Sequence, residues 1–399
     1  MAAGRTPAAL AGLRVLDLST NHAAYAGRLL ADLGAEVVRV EPPSGSPVRR
    51  LEPLQQLPDG EVFSFAHAFL DAGKRSLALD LTSADGRARF AELANGSDVI
   101  IETPDGGGLA AADLGFDTIR QRNPGLIVVS ITPFGLEGPY AHHRATDLTV
   151  LAAGGLLALG GYRDTEPLAI HGEQALLAAG IFGAVATLAA LYERTQTGKG
   201  QWIDVSAQES VAFALEDAIA EWSIHRNVRR RHGDGAREAG TGVYPCRDGY
   251  ISVVAGRLGT ARAFVALTEW VAQSDTPGGA ALLEPQWRDF KFRQSPEGIA
   301  RFADIFGAFC RTRGKQQLYR EGQARQIALA PVNSIADVLQ DPQLAANGYF
   351  QREFDATLQR EIAFPGPPYR LARTPARRQG PAPRLGEPGA AVSPAAAEG

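Results

Sequence analysis

Cysteine is nearly missing from this chain: Cys246 and Cys310 are the only two in 399 residues. Their scarcity excludes a disulfide framework and a cysteine-based zinc site, and it suits a reducing cytoplasm. Neither sign of charge is in marked excess, since 40 Lys and Arg stand against 44 Asp and Glu for a formal net charge of -4. No bulk attraction for nucleic acid follows, so any anion site must be local. Two phosphate-binding signatures are absent as well. No GxGxxG follows the first strand-like run, and Gly198-Lys199-Gly200 lacks the upstream glycine and the following Ser or Thr of a Walker A loop. Simple NAD or ATP use has no motif here. The segment Met1 to Pro7 lacks the apolar core and cleavage site of a secretory signal, so export is not expected. The membrane-like stretch, Ala175 to Leu191, is short for a bilayer span and lacks aromatic anchors, which predicts a buried helix and no membrane partner.

What is present is an ordinary globular balance, 45% hydrophobic and 21% charged, in a chain long enough for one large or two modest cores. The run Leu13 to Asp17 reads as a strand, Tyr25 to Leu33 has helical spacing and stops at Gly34, and Glu36 to Glu41 reads as a second strand. The period recurs. Ser76 to Leu81 is strand-like, Ser83 caps an amphipathic helix to Ala94, Asp98 to Glu102 is a short apolar strand, Phe116 to Gln121 is helical and Leu126 to Thr132 is another strand. Alternation at this spacing predicts an α/β fold with a parallel sheet, whose ligand sits in the loops after Asp17, Glu41, Glu102 and Thr132.

Trp202 to Val205 follows as a strand, then a long helix from Gln208 to about Arg226, completing a first large segment over 1–225. The run Arg229-Arg230-Arg231-His232 reads as a solvated basic face inside a glycine-rich linker over 226–242. Val243 to Ala255 predicts a hairpin turned at Arg247-Asp248-Gly249, and helical material continues to about Arg325, so 243–325 reads as a smaller α+β domain. The tail 376–399, rich in Pro, Ala, Gly and Arg, predicts extended or disordered chain.

The order of these pieces, with several specific stretches of sequence, resembles the family III CoA-transferases, the superfamily of formyl-CoA transferase, carnitine CoA-transferase and α-methylacyl-CoA racemase. The stretches are Leu13-Arg-Val-Leu-Asp-Leu-Ser, Leu30-Ala-Asp-Leu-Gly-Ala-Glu-Val-Val-Arg-Val-Glu-Pro-Pro, Gly73-Lys-Arg-Ser-Leu-Ala-Leu-Asp-Leu and Asn123-Pro-Gly-Leu-Ile-Val-Val-Ser-Ile-Thr-Pro-Phe-Gly-Leu-Glu-Gly-Pro-Tyr, with Ala330-Pro-Val-Asn-Ser and Leu385-Gly-Glu near the end. The resemblance implies a Rossmann-like large domain built from both chain ends, with 326–375 returning to it, and two subunits interlocked like links of a chain. It implies no permanently bound cofactor; coenzyme A or an acyl-CoA is the substrate. Lys74 and Arg75 match the motif that lies along CoA, Arg144 matches a basic position near CoA, and Arg39 is expected at a strand end where an anion could sit. Asn21 and His22 fall in the loop after the first strand, and Thr103 stands where the family usually has an Asn-containing loop.

Such an enzyme attacks the thioester with an aspartate, giving a mixed anhydride that the released CoA thiolate converts to an enzyme thioester. Counting from Pro167-Leu168 and back from Gly180 places Leu176 at that nucleophile, with Ala175 one residue away; neither can attack. Glu173, preceded by Gly172, is the nearest carboxylate, displaced by three residues, and His171 is similarly displaced. The racemase branch needs a histidine in a Gly-His-Asp triplet, where this chain has Ala145-Thr146-Asp147, so two-base proton transfer loses a base. Two loops depart further: Ala24-Tyr25 replaces the usual Gly-Pro, and Thr103-Pro104-Asp105-Gly106 shortens the next loop. Three readings follow. The first is a subunit without its own nucleophile, paired with a catalytic paralogue as in transferases of the succinyl-CoA:benzylsuccinate type and inactive alone. The second is a homodimeric enzyme using Glu173 or a nucleophile-free mechanism on a CoA thioester, and the third a CoA-ester binding protein without turnover.

Overall fold

The computed structural model describes residues 8–104, 108–231, 233, 236–257 and 259–387. Asp105, Gly106, His232, Leu258 in the Gly256 to Gly259 loop, and the tail from 388 onward lie outside the described residues. Chain contacts divide the molecule into two units, one of Met1–Leu157, Ile170–Ile224 and Pro342–Gly399, the other of Ala158–Ala169 and His225–Asp341.

The large unit opens with β1 (Arg14–Leu18), a 3-10 turn (Asn21–Ala24), α1 (Tyr25–Asp32) and β2 (Glu36–Glu41). A small hairpin, β3 (Leu54–Gln56) and β4 (Val62–Ser64), leads into α2 (Phe65–Leu70), and β5 (Arg75–Ala78), α3 (Ala84–Asn95) and β6 (Val99–Glu102) follow. Then come α4 (Gly108–Ala111), α5 (Phe116–Arg120), β7 (Ile127–Thr132), α6 (Asp147–Ala153), α7 (Gln174–Thr197) and β8 (Trp202–Ser206). The six main strands form one sheet in the order β5-β2-β1-β6-β7-β8, and every pairing in it is parallel. Strand neighbours point to opposite faces. Val15, Ile101 and Val129 therefore enter the core layer beneath α1 and α7, while Leu16, Ile100 and Val128 enter the layer with Phe90 and Leu126. All are essentially inaccessible to water, each contributing about 1.5–3 kcal/mol of burial. This is the expected α/β architecture.

Helix α7 ends at Gly198, whose left-handed conformation (φ 69°) closes the last turn. Among the described residues it is the one helix long and apolar enough to cross a membrane. The expectation of a buried helix holds for one face only: Ala175, Ala179, Gly180, Gly183 and Ala184 are buried, while Ile181, Val185 and Tyr192 are exposed. The expected long helix from Gln208 is broken. It consists of α8 (Ala207–Phe213) and α9 (Asp217–His225), parted at Glu216, whose φ of 44° cannot continue a right-handed helix.

The second unit holds β9 (Thr241–Cys246) and β10 (Gly249–Val254), the hairpin read from the sequence, followed by α10 (Ala261–Ala272), α11 (Phe290–Gln294), α12 (Pro296–Arg311) and α13 (Lys315–Ala324). Its core is aromatic, with Tyr244, Phe264, Trp287, Phe302, Phe306 and Phe309 buried together. Here the boundary at 325 moves. Strand β11 (Ala328–Pro331) pairs with β10, and α14 (Ile335–Leu339) lies in the same unit, so the return to the large unit starts at Pro342. Arg231 is not simply a solvated cation, because it donates to the carbonyls of Ala158, Tyr162 and Thr165.

After α15 (Pro342–Ala346), the hairpin β12 (Phe350–Asp355) and β13 (Arg360–Pro365) belongs to the large unit. The first part of the tail is extended and tied down rather than loose. Arg377 N–H donates to the Asp32 carbonyl, Gly73 N–H to the Pro381 carbonyl and Gly386 N–H to Ser76 Oγ.

Candidate functional site

Strand order reverses between β1 and β6, and a parallel sheet opens its crevice at the carboxyl ends of such strands. The loops after β1 and β6 are joined there: Thr20 N–H donates to Thr103 Oγ1. Asn21 adopts φ 49°, a left-handed conformation that asparagine tolerates, and its Oδ1 accepts from Ala23 N–H at 2.9 Å. His22 follows in the 3-10 turn, half-buried, and burial pushes its pKa down, so it is a neutral imidazole near pH 7. Asn21, His22 and Thr103 are thus brought to one edge, as the sequence suggested.

The cations are placed differently. Arg39 is the fourth residue of β2, not a strand end, and is fully buried. Its Nη1 lies 3.0 Å from Asp17 Oδ1 and its Nη2 3.0 Å from Ser46 Oγ. Lys74 is equally enclosed, with Nζ donating to Asp17 Oδ2 (2.7 Å), Asp71 Oδ1 (2.7 Å) and the Ala24 carbonyl (2.8 Å). An ammonium has three N–H donors, so none is left for a phosphate. Arg75 is exposed, but it begins β5 and pairs at 2.8 Å with Glu36, the first residue of β2, on the amino side of the sheet. Of these four cations, Arg144, in the loop between β7 and α6, is the exposed one on the expected side.

The interior charges form a balanced cluster. Burial opposes ionisation of Asp71, yet Arg39, Lys74 and His67 outweigh it and hold its carboxyl well below the usual range. Burial likewise opposes Glu41, which Arg49, Ser76 and Ser46 bring down by hydrogen bonds. His67 bridges the two halves, with Nδ1 3.0 Å from Asp71 Oδ2 and Nε2 3.1 Å from Arg49 Nη1. A guanidinium only donates, so Nε2 accepts and the proton sits on Nδ1.

Leu176, the residue at which the count from the family resemblance arrives, lies in the first turn of α7, half-buried and packed against the core cluster of Val129, Val150 and Ala179. Asp147, at the first position of α6, turns its buried carboxylate onto the α7 N-terminus and accepts the Leu176 N–H at 2.9 Å, while the neighbouring N–H groups of Ala175 and Gln174 also favour its charge. Burial raises the Asp147 pKa against the pull of those bonds. Glu173 is the N-cap residue of α7, yet its side chain makes no capping bond. Burial first, and Asp147 second, raise its pKa. His171 is exposed. Gly180 seats α7 against the β1 loop: a Cβ there would lie 3.2 Å from Ala26 N and 3.4 Å from the Ala23 carbonyl. The turn carrying Leu176 and the loop carrying Asn21 and His22 are neighbours for that reason.

Sequence reasoning missed Asp17, Asp71 and His67 as the inner charges and Asp147 as the α7 cap. One signal was available. Gly27 lies inside α1, and a Cβ there would meet Asp17 Oδ2 at 2.3 Å, so the glycine marks where the helix rides on the ion cluster.

An open parallel sheet with its crevice at β1 and β6, no dinucleotide fingerprint and a long small-residue helix beginning at that crevice defines an α/β ligand-handling protein of the doubly wound class. The chain belongs to CoA-transferase family III, whose sequence model matches residues 10–388. It is 35% identical over 375 residues, 94% of this chain and 91% of the relative, to the succinyl-CoA:(R)-benzylsuccinate CoA-transferase subunit BbsE of Thauera aromatica. It is 30% identical to the succinate-glutarate CoA-transferase of Agrobacterium fabrum, covering 95% of this chain and 93% of that one. The crystal structure of a CAIB/BAIF family protein from Brucella suis superposes with a TM-score of 0.83 at 26% identity, over 98% of this chain and 99% of that one.

Proposed function

We propose that this chain is the nucleophile-free subunit of a heteromeric family III CoA-transferase, in which a paralogue supplies the aspartate and CoA passes from a dicarboxylic acyl-CoA to an acceptor carboxylic acid. The observation that carries the reading is the occupant of position 176: an apolar side chain packed on the core, with its N–H held by Asp147. Glu173 is a poor substitute. It is the N-cap residue of α7, three residues before Leu176, and a nucleophile displaced by that much misses the near-attack geometry.

The benzylsuccinate relative is itself named as a subunit. A second chain also suits the outer side of α7 to α9, where Tyr192, Phe213 and Ile224 are 73%, 76% and 72% exposed and α9 buries no residue. A nine-residue helix with no buried side chain is not stable by itself, which supports an oligomer, paralogous or interlocked with its own copy. In this reading CoA is a substrate, met by Asn21, His22, Thr103 and Arg144, with Arg39 and Lys74 as internal support. A reducing cytoplasm is the proposed setting, since both thiols are free and buried.

Co-expression with an aspartate-bearing paralogue tests the proposal. CoA exchange between succinyl-CoA and a dicarboxylate is expected for the co-purified pair and absent from this chain alone. Turnover by the isolated chain, abolished by Glu173→Gln with CoA binding intact, would establish the homodimeric reading instead.

A further inference from the structure

We propose that Lys74 is a positioning residue rather than a phosphate ligand: acting through Ala24 and Asp17, it sets the conformation of the loop over residues 19–24 that presents Asn21 and His22. The inference deepens the CoA reading above and rests on it for the ligand.

Three elements meet at one nitrogen. Lys74 Nζ reaches the Ala24 carbonyl at the end of the 3-10 turn, Asp17 in β1 and Asp71 just after α2. Asp17 passes the constraint on, because its other oxygen accepts from Ser19 N–H at 2.9 Å, from Ser19 Oγ and from Arg39 Nη1. The loop is therefore pinned at both ends, at Ser19 through Asp17 and at Ala24 directly. Between those pins lie the left-handed Asn21 and the half-buried His22. The ammonium carries no exposed surface, its side chain being 0% accessible. Gly27 permits the arrangement, since any Cβ there would come within 3.2 Å of Nζ.

Lysine suits this post and arginine does not. Three acceptors around one nitrogen match a tetrahedral ammonium, whereas a planar fork directs its donors outward in a plane. The two roles consequently separate in experiment. A phosphate ligand acts by charge, so arginine should substitute for it and its loss should matter less in high salt. A positioning residue acts by geometry.

The test uses the full chain, with its partner if the pair is required for solubility. Hydrogen exchange and CoA calorimetry are measured on wild type, Lys74→Met and Lys74→Arg. Exchange over residues 19–24 is expected to accelerate about tenfold or more in both variants while β6 and β7 stay protected. CoA affinity is expected to fall by a similar factor at low and at high salt. Wild-type affinity in Lys74→Arg, or unchanged exchange over 19–24 in either folded variant, would overturn the proposal. Lys74→Met leaves Asp17 and Asp71 short of a cation; if it does not fold, Lys74→Arg preserves the charge balance and decides the matter. If the wild type binds no CoA, the CoA reading fails, and loop exchange alone decides whether Lys74 positions 19–24.

Discussion

Asp147 Oδ1 lies 2.9 Å from the main-chain nitrogen of Leu176, so the first turn of α7 is capped by a carboxylate from a different helix. The same contact occupies the N-terminal dipole with a resident anion, leaving that end of α7 less able to stabilise a second negative charge.

Removing the cap tests its structural worth. Asp147→Ala orphans the Leu176 N–H in the first turn of α7 and is expected to destabilise the chain by about 1–2 kcal/mol. A lowered urea midpoint with an unchanged slope is the expected signature; an unchanged midpoint would show that Asp147 does not cap α7 in solution.

Leu176→Asp places a carboxyl in an apolar setting beside Asp147, and both effects raise its pKa. Only trace hydroxylamine-trappable thioester is expected at neutral pH. Trapping should grow as pH rises, because the ionised carboxylate is the nucleophile, and should grow again when Asp147→Asn is added. Strong trapping by the single variant, independent of pH, would contradict this account.

The raised pKa values of Glu173 and Asp147 have a signed consequence for stability. A carboxyl that binds its proton more tightly when folded contributes fully below about pH 4, and that contribution is lost as pH rises through the folded-state value. Glu173→Gln removes one such group. The variant should therefore lose less stability than wild type as pH is raised from acid toward neutral, as read by chemical denaturation at several pH values.

Gly27→Ala drives a methyl into Asp17, which is already committed to Lys74 and Arg39. Overpacking at a buried charged site predicts a loss of about 3 kcal/mol. A thermal midpoint within error of wild type would show that α1 can move off the cluster.

Arg378 ties the tail to the large unit, with Nε 2.7 Å from Glu353, Nη1 3.3 Å from the Ala68 carbonyl and the guanidinium 3.9 Å from the centre of the Phe364 ring. Arg378→Ala is expected to cost about 2 kcal/mol and to speed proteolysis after Pro375. Equal protease resistance would mean that the remaining main-chain bonds of the tail suffice.

The repeating elements were legible because they are local. Glu36–Glu41 was read with its observed limits from its valines, and Ser83 announced α3 by the bond it makes to Gly86 N–H. The break at Glu216 was not legible, since the apolar spacing runs on through it and only φ changes sign. The site residues divide similarly. Asn21, His22 and Thr103 could be placed because they follow strand ends, and strand ends locate the crevice of any parallel sheet.

The sequence by itself determined the strand and helix order, the want of a dinucleotide fingerprint, and the leucine at 176, since each depends on which residues stand next to one another. Tertiary structure decided which charges remain available. Lys74 and Arg39 look like anion ligands in one dimension, but their carboxylate Asp17 is 57 and 22 residues away, and burial makes pairing with it compulsory. Asp147 caps a helix 29 residues on for the same kind of reason: the N–H groups of a buried helix end must find acceptors, and the fold, not the neighbouring sequence, supplies them.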